Sequence, residues 1–234
     1  MGRDSVPAMN VTTRHNPSFA VARIALSGNE SIKAESGAMM AHSAGVAVEA
    51  KMQGGLMKGL KRSVLGGESL FVTSFHAPAE GGWVDVAANL PGDVTTVELG
   101  GGALNVSRGN WLASAAGVEL DTKWGGFKNL MGGEGGFLVH ASGTGTVVVS
   151  CYGALDTVEL AAGESVVVDS GHVVAFDPSV QFTSRKVTKG MMATLKSGEG
   201  LVMEFSGPGR ILTQSRDPSA LIGWLTTALP FSRA

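Results

Sequence analysis

The sequence repeats itself three times, and this constrains the fold more than any other feature of the chain. A Gly-x-x-x-Ala element recurs as Gly37-Ala38-Met39-Met40-Ala41, Gly109-Asn110-Trp111-Leu112-Ala113 and Gly171-His172-Val173-Val174-Ala175, at offsets of 72 and 62 residues. An alternating run follows in each copy: Gly45-Val46-Ala47-Val48-Glu49, Gly117-Val118-Glu119-Leu120-Asp121 and Ser179-Val180-Gln181-Phe182-Thr183. A Gly-Glu pair then closes a segment rich in Gly, Lys and Met, placing Glu68, Glu134 and Glu199 at offsets of 66 and 65 residues. Three anchors in one order, three times over, mark a repeat.

After each Gly-Glu comes a strand, a turn and a second strand. Leu70-Phe71-Val72 leads to Trp83-Val84-Asp85-Val86, Phe137-Leu138-Val139 to Thr146-Val147-Val148-Val149, and Leu201-Val202-Met203 to Arg210-Ile211-Leu212-Thr213. Short apolar runs separated by Gly and Pro are hairpin signals. Glycine makes up 34 of 234 residues, about twice the usual share of about 7%, as many tight turns require. A unit of about 65 residues with short strands buries one face well by itself, whereas three units can share a core and pair edges otherwise exposed. The expected fold is all-β: triplicated β-sandwich units with pseudo-threefold symmetry, short helical turns and a C-terminal helix. That helix starts at Asp217-Pro218, where Asp suits a cap and Pro the first helical position. Residues 1–16 are expected to be a flexible N-terminal segment and 17–225 one domain, with repeats near 17–99, 100–160 and 161–225. Residues 226–234 form the tail.

Bulk composition narrows the function. The net charge of −2 lacks the basic surplus that phosphate neutralisation calls for, so nucleic acid is an unfavoured partner. With 44% apolar residues the chain can build a core and is not disordered. One cysteine, Cys151, makes no internal disulfide. The first residues lack the apolar stretch of a signal peptide, and no run approaches the roughly 18 apolar residues of a membrane span. The expected location is cytoplasmic, with a peripheral membrane contact left open.

One segment per repeat is a candidate interaction patch. In the first, Leu56, Met57, Leu60 and Val64 fall in one sector of a helical wheel, with Lys58, Lys61 and Arg62 opposite. Its counterparts carry Phe127, Lys128, Leu130 and Met131, and Met191, Met192, Leu195 and Lys196. Related by a threefold, these segments lie at one end and form an apolar patch rimmed by cations. Three occupants stay open: the protein's own core, another subunit, or a lipid surface. The repeat-related Glu68, Glu134 and Glu199 can hold a cation only if they converge, and otherwise bind local N–H groups or lysines.

The remaining chemistry reads as structural. The five histidines, at 15, 42, 76, 140 and 172, show no helical metal spacing; His140 and His172 fall in expected strands. Cys151 follows three valines and reads as a buried residue. The clusters Gly100-Gly101-Gly102 and Gly132-Gly133-Glu134-Gly135-Gly136 lack the Lys-Ser/Thr ending of a phosphate loop. Trp83, Trp111 and Trp124 suit core anchoring better than base stacking. No acid, base and nucleophile set can be named, and neither a cofactor nor a metal is expected.

Several runs resemble the altered inheritance of mitochondria protein 24 family: Lys33-Ala34-Glu35-Ser36-Gly37-Ala38-Met39, Gly125-Gly126-Phe127-Lys128, Ser150-Cys151-Tyr152-Gly153, and Gly207 through Arg216. The likeness covers roughly residues 17–225. It implies a fold similar to the tryptophan RNA-binding attenuator protein, with triplicated β units, and brings no catalytic residue with it. The function expected from residues and resemblance together is non-catalytic binding or assembly. Its concrete form is a homo-oligomeric scaffold, favouring a trimer, with a possible role in membrane organisation. The alternative is a small-ligand or nucleic-acid binding module by fold analogy.

Overall fold

A computed structural model describes residues 9–53, 70–121, 138–186 and 201–229. Strand β1 (Asn10–Arg14) precedes three units of six strands. The first unit comprises β2 (Val21–Leu26), β3 (Ser31–Glu35), β4 (Met39–His42), β5 (Ala47–Gln53), β6 (Leu70–His76) and β7 (Gly82–Ala87). The second holds β8 (Val94–Glu98), β9 (Ala103–Ser107), β10 (Trp111–Ala115), β11 (Val118–Asp121), β12 (Leu138–Gly143) and β13 (Thr146–Ser150). The third holds β14 (Leu155–Leu160), β15 (Ser165–Asp169), β16 (Val173–Phe176), β17 (Gln181–Lys186), β18 (Leu201–Ser206) and β19 (Gly209–Gln214), followed by helix α1 (Pro218–Ala228).

The hydrogen-bond pattern recurs unit by unit. In each, the first and third strands pair antiparallel with the sixth, and the second and fourth with the fifth. A bulge falls at the same place in the third strand every time: between Met39 and Ala41, Trp111 and Ala113, and Val173 and Ala175. These are the Gly-x-x-x-Ala anchors read from the sequence. The phase of the repeat differs from that expectation. Boundaries at 99 and 160 fall one strand late, because Val94–Glu98 bonds to β13 and Leu155–Leu160 to β19. A periodic sequence does not show where its period begins; only pairing does.

Units are joined by sharing sheets. The second strand of one unit pairs with the third strand of the next: β3 with β10, Ala34 facing Ala113, and β9 with β16, Val106 facing Ala175. This yields four sheets, ordered β1-β2-β7-β4, β5-β6-β3-β10-β13-β8, β11-β12-β9-β16-β19-β14 and β15-β18-β17. The first core, with Ile24, Ile32, Phe75, Val84 and Leu112, lies between the first two sheets. The next, with Trp111, Val139, Val147, Val149 and Val174, lies between the second and third sheets. The last, with Phe176, Met203, Phe205 and Ile211, joins the third sheet to the fourth. Inner strands therefore bury both faces: every residue of β13 and β16 is buried. That explains the unbroken runs Val147-Val148-Val149 and Val173-Val174-Ala175-Phe176, since two-sided burial removes the polar alternation.

Glycine stands at the start of the sixth strand, or just before it, in each unit for a steric reason. A Cβ on Gly82 would meet Ser43 Oγ at 2.6 Å, one on Gly145 the Ala115 Cβ at 2.7 Å, and one on Gly209 the Ser179 Oγ at 2.7 Å. Helix α1 begins as its sequence indicates: Asp217 accepts from the Ser219 and Ala220 amides at 2.8 and 3.1 Å, with Pro218 at the first turn. It runs on to Ala228, past the boundary placed at 225. Residues 10–14, inside the segment expected to be flexible, form β1 and pair with β2. The polar Asn-Val-Thr-Thr-Arg reads weakly as a strand because one face only covers a sheet end.

Candidate interaction surface

The residues picked out by sequence lie outside the described residues: Leu56, Met57, Lys58, Leu60, Lys61, Arg62, Val64 and Glu68; Phe127, Lys128, Leu130, Met131 and Glu134; Met191, Met192, Leu195, Lys196 and Glu199. Their connections are defined. Segment 54–69 joins β5 to β6, 122–137 joins β11 to β12, and 187–200 joins β17 to β18. Each therefore links the fourth and fifth strands of its unit, which pair antiparallel.

The described surface is most unusual at the two ends of the sheet series. Six-stranded inner sheets combine three strands from each of two units, whereas the first sheet has only one unit's three strands plus β1, and the fourth only three. Among the described residues, β4 and β15 are left as sheet edges. Their side chains are exposed where their counterparts are not. Met39 and Met40 are 41% and 55% exposed, while the equivalent Trp111 and Leu112, and Val173 and Val174, are at most 3% exposed. In β15, Val167 is 48% exposed; its equivalent in β9, Asn105, is 1% exposed. Sheet edges in stable proteins commonly carry charges that discourage further pairing. Here β5 has Glu49 and Lys51, β11 has Glu119, and β14 has Asp156 and Glu159. By contrast β4 is Met-Met-Ala-His, and β15 is Ser-Val-Val-Val-Asp with its charge at the last position.

The face of the first sheet beside β4 is polar and self-covered. Asp85, 2% exposed, accepts from Arg23 Nε and Nη2 at 2.8 and 2.9 Å and from Arg14 Nη2 and Nη1 at 2.8 and 3.3 Å. The Arg23 guanidinium, foremost among these partners, holds the Asp85 carboxyl at about 2, below the ordinary 3.8. Arg23 also lies over Trp83, 4.1 Å from the ring centroid, a cation–π contact. In the other two units the position of Asp85 is taken by buried Val148 and Leu212. The sequence reading missed this cluster because Arg14 sits in the unassigned N-terminal segment and Asp85 in a strand that otherwise reads apolar.

The joints between units carry their own polar ties. Lys33 Nζ donates across the first joint to the carbonyls of Ala116 and Val118 at 3.0 and 2.8 Å. At the second, buried Gln214 donates to Gly171 O at 2.8 Å and accepts from the Tyr152 amide at 2.9 Å and from Asn110 at 3.2 Å. These contacts tie each unit to the next.

Other candidate groups are held structurally. Cys151 is buried, and burial pushes its thiol up to about 11. Trp111 is a core residue, while Trp83 is half-buried under Arg23. His140 lies in β12 and meets Asn105 at 2.8 Å; His172 ends a 3₁₀ turn before β16, rather than lying in a strand, and meets Gln214 O at 2.6 Å. Ser31, His76 and Glu49 have the atom types of a hydrolytic triad: Ser31 Oγ lies 2.7 Å from His76 Nδ1, and Glu49 Oε2 lies 3.6 Å from His76 Nε2. The equivalent pair in the third unit, Ser165 and Ser206, bonds the same way at 2.8 Å. That recurrence marks a cross-strand polar pair on an open sheet face. Among the described residues no three His, Cys, Asp or Glu gather as metal ligands, and no helix is long and apolar enough to cross a membrane.

Known proteins share this arrangement. The chain is 30% identical over 233 residues to the Streptococcus pyogenes serotype M6 protein M6_Spy0233, an uncharacterized protein, covering 96% of this chain and 92% of that one. The crystal structure of protein SPYM3_0169 from Streptococcus pyogenes matches with a TM-score of 0.79 at 28% identity, over 94% of this chain and 100% of that chain. Residues 11–216, from β1 to the residue before the helix cap, match the family described as Mitochondrial biogenesis AIM24. By that match and that identity, the chain belongs to the Mitochondrial biogenesis AIM24 family.

Proposed function

We propose that this protein is a non-catalytic assembly protein, a homo-oligomeric scaffold made of pseudo-threefold units. One observation carries the reading: its first and last sheets are half-sheets, exposing Met39 and Met40 at positions buried in both other units, and Val167 where β9 buries Asn105. A bare apolar edge is a template for pairing, and a self-associating chain covers it with another copy of itself. The polar groups described above are tied to strands or joints, which supports binding over chemistry. Light scattering after size exclusion, over a range of concentrations, tests the proposal. Masses at multiples of 23.9 kDa are expected, with a trimer as the favoured closed form. A mass of one chain at every concentration refutes it.

A lipid surface is the second reading, favoured by α1, whose Ile222 and Trp224 are exposed and which buries no residue. Trp side chains settle at membrane–water interfaces, where an amphipathic ring meets the headgroups, and an exposed Trp beside an exposed Ile gives α1 that means of contact. Flotation with liposomes tests it, with Ile222→Asp and Trp224→Asp expected to abolish any binding. Absence of flotation in the unaltered protein removes the reading.

A further inference from the structure

We infer that copies of this chain join head to tail, β15 of one copy pairing antiparallel with β4 of the next, in the register that joins the units inside the chain. This rests on the assembly reading above and names its partner and its surfaces.

The two internal joints supply the register. At the first, Ala113 faces Ala34 and Ser114 faces Lys33. At the second, Ala175 faces Val106 and Phe176 faces Asn105. Positions correspond across units because each third strand meets its sixth strand at the same place: Ala41 with Asp85, Ala113 with Val148, and Ala175 with Leu212. The second strands correspond in the same way: Ile32 faces Phe75, Leu104 faces Ala141, and Val166 faces Phe205. Carried to the chain's ends, the rule sets Ala41 opposite Val168 and His42 opposite Val167. One copy's β17-β18-β15 and the next copy's β4-β7-β2-β1 then form a single sheet, as β5-β6-β3 and β10-β13-β8 already do.

The side chains fit the joint. Leu112, one residue before Ala113, packs into the core that holds Ile32, Ala34 and Phe75. Met40 occupies that place in the first unit and is exposed. In the joint it covers Val166 and Val168, which are only partly buried at the rim of the last core. One difference sets this joint apart. Where Val148 backs the first core, Asp85 lies under Arg14 and Arg23, so the joint between copies carries less apolar contact than the internal ones. The association is therefore reversible and concentration-dependent, whereas the internal joints are fixed by the chain. Because the two edges differ, the contact is heterologous, and repetition closes into a ring or continues as a filament.

Cysteine pairing tests the register. Residues facing each other on antiparallel strands have Cβ atoms roughly 4.5–5.5 Å apart, close enough for oxidation to link cysteines there after small shifts. Ala41→Cys and Val168→Cys are made separately, the buried Cys151 thiol remaining inert. The mixed variants, once oxidised, are expected to yield a two-chain product on a non-reducing gel, and neither variant alone. The double variant is expected to give a ladder or a closed set of linked chains. Self-linking of Ala41→Cys alone overturns the polarity, and a double variant linked only within one chain overturns the intermolecular joint. If scattering shows oligomers but the mixture does not link, assembly stands and this joint falls. If Met40→Lys and Val167→Asp each keep the fold by circular dichroism, both are expected to raise the concentration for half-assembly by at least about tenfold, since a carboxylate at 167 cannot donate across the joint as Lys33 does at the equivalent internal position. Unchanged assembly in both also overturns the joint.

Discussion

Replacing Asp85 with Asn tests whether the cluster at the first sheet acts through charge. The carboxylate is almost fully buried and receives donors from two arginines whose side chains are 34% and 45% exposed. Its pKa falls from 3.8 to about 2. At about 1.36 kcal/mol per unit, the full shift corresponds to roughly 2.5 kcal/mol. Solvent at the half-exposed guanidinium groups screens part of this, leaving about 1–2 kcal/mol. The folded pKa lies below the unfolded one, so this stabilisation is present above about pH 4 and is lost as pH falls through about 2. Urea unfolding of both proteins, in steps from pH 7 to pH 2, measures it. Asp85→Asn is expected to be less stable by about 1–2 kcal/mol at pH 7, with the gap shrinking towards zero at pH 2. A gap that does not change with pH, or none at pH 7, refutes the ion-pair account.

Three further outcomes follow from the packing. Gly145→Ala places a Cβ 2.7 Å from the Ala115 Cβ at a backbone φ of +130°, so thermal unfolding is expected to show a loss of about 2 kcal/mol or more. Gln214→Leu strips partners from the Tyr152 amide and the Gly171 carbonyl; a cost of about 1–3 kcal/mol is expected, with faster amide exchange in β16 and β19. Cys151, buried with its thiol raised to about 11, is expected to resist an aromatic disulfide reagent at pH 8 until denaturant is added.

Much of the architecture was legible because the repeat is written in residues that pairing cannot replace. Gly37, Gly109 and Gly171 precede the third strand of each unit, and Ala41, Ala113 and Ala175 end its bulge. Val46, Val118 and Val180 each enter a different core. What could not be read was the sharing of sheets between units, because β3 with β10 and β9 with β16 join residues about 80 and 70 positions apart, and no local pattern records such a distance. The end surfaces were legible only by comparing copies. Met39-Met40 stands where Trp111-Leu112 and Val173-Val174 stand elsewhere, and flexible methionines replacing a buried Trp and branched valines are a mark of changed surroundings. Asp85 among valines is the same kind of departure, but its partner Arg14 lies 71 positions away. The patch rests on helical periodicity around Leu56 and on the repeat for its counterparts at Phe127 and Met191; those residues lie outside the described ones, and their flanking strands alone are described.

Half-sheets at either terminus of the polypeptide have a genealogical consequence. If successive modules and successive molecules meet through one docking rule, covalent linkage and association become interchangeable ways of lengthening the array. A gene encoding two modules or four would inherit the same seams, and selection is free to alter how many a single transcript carries without redesigning any of them.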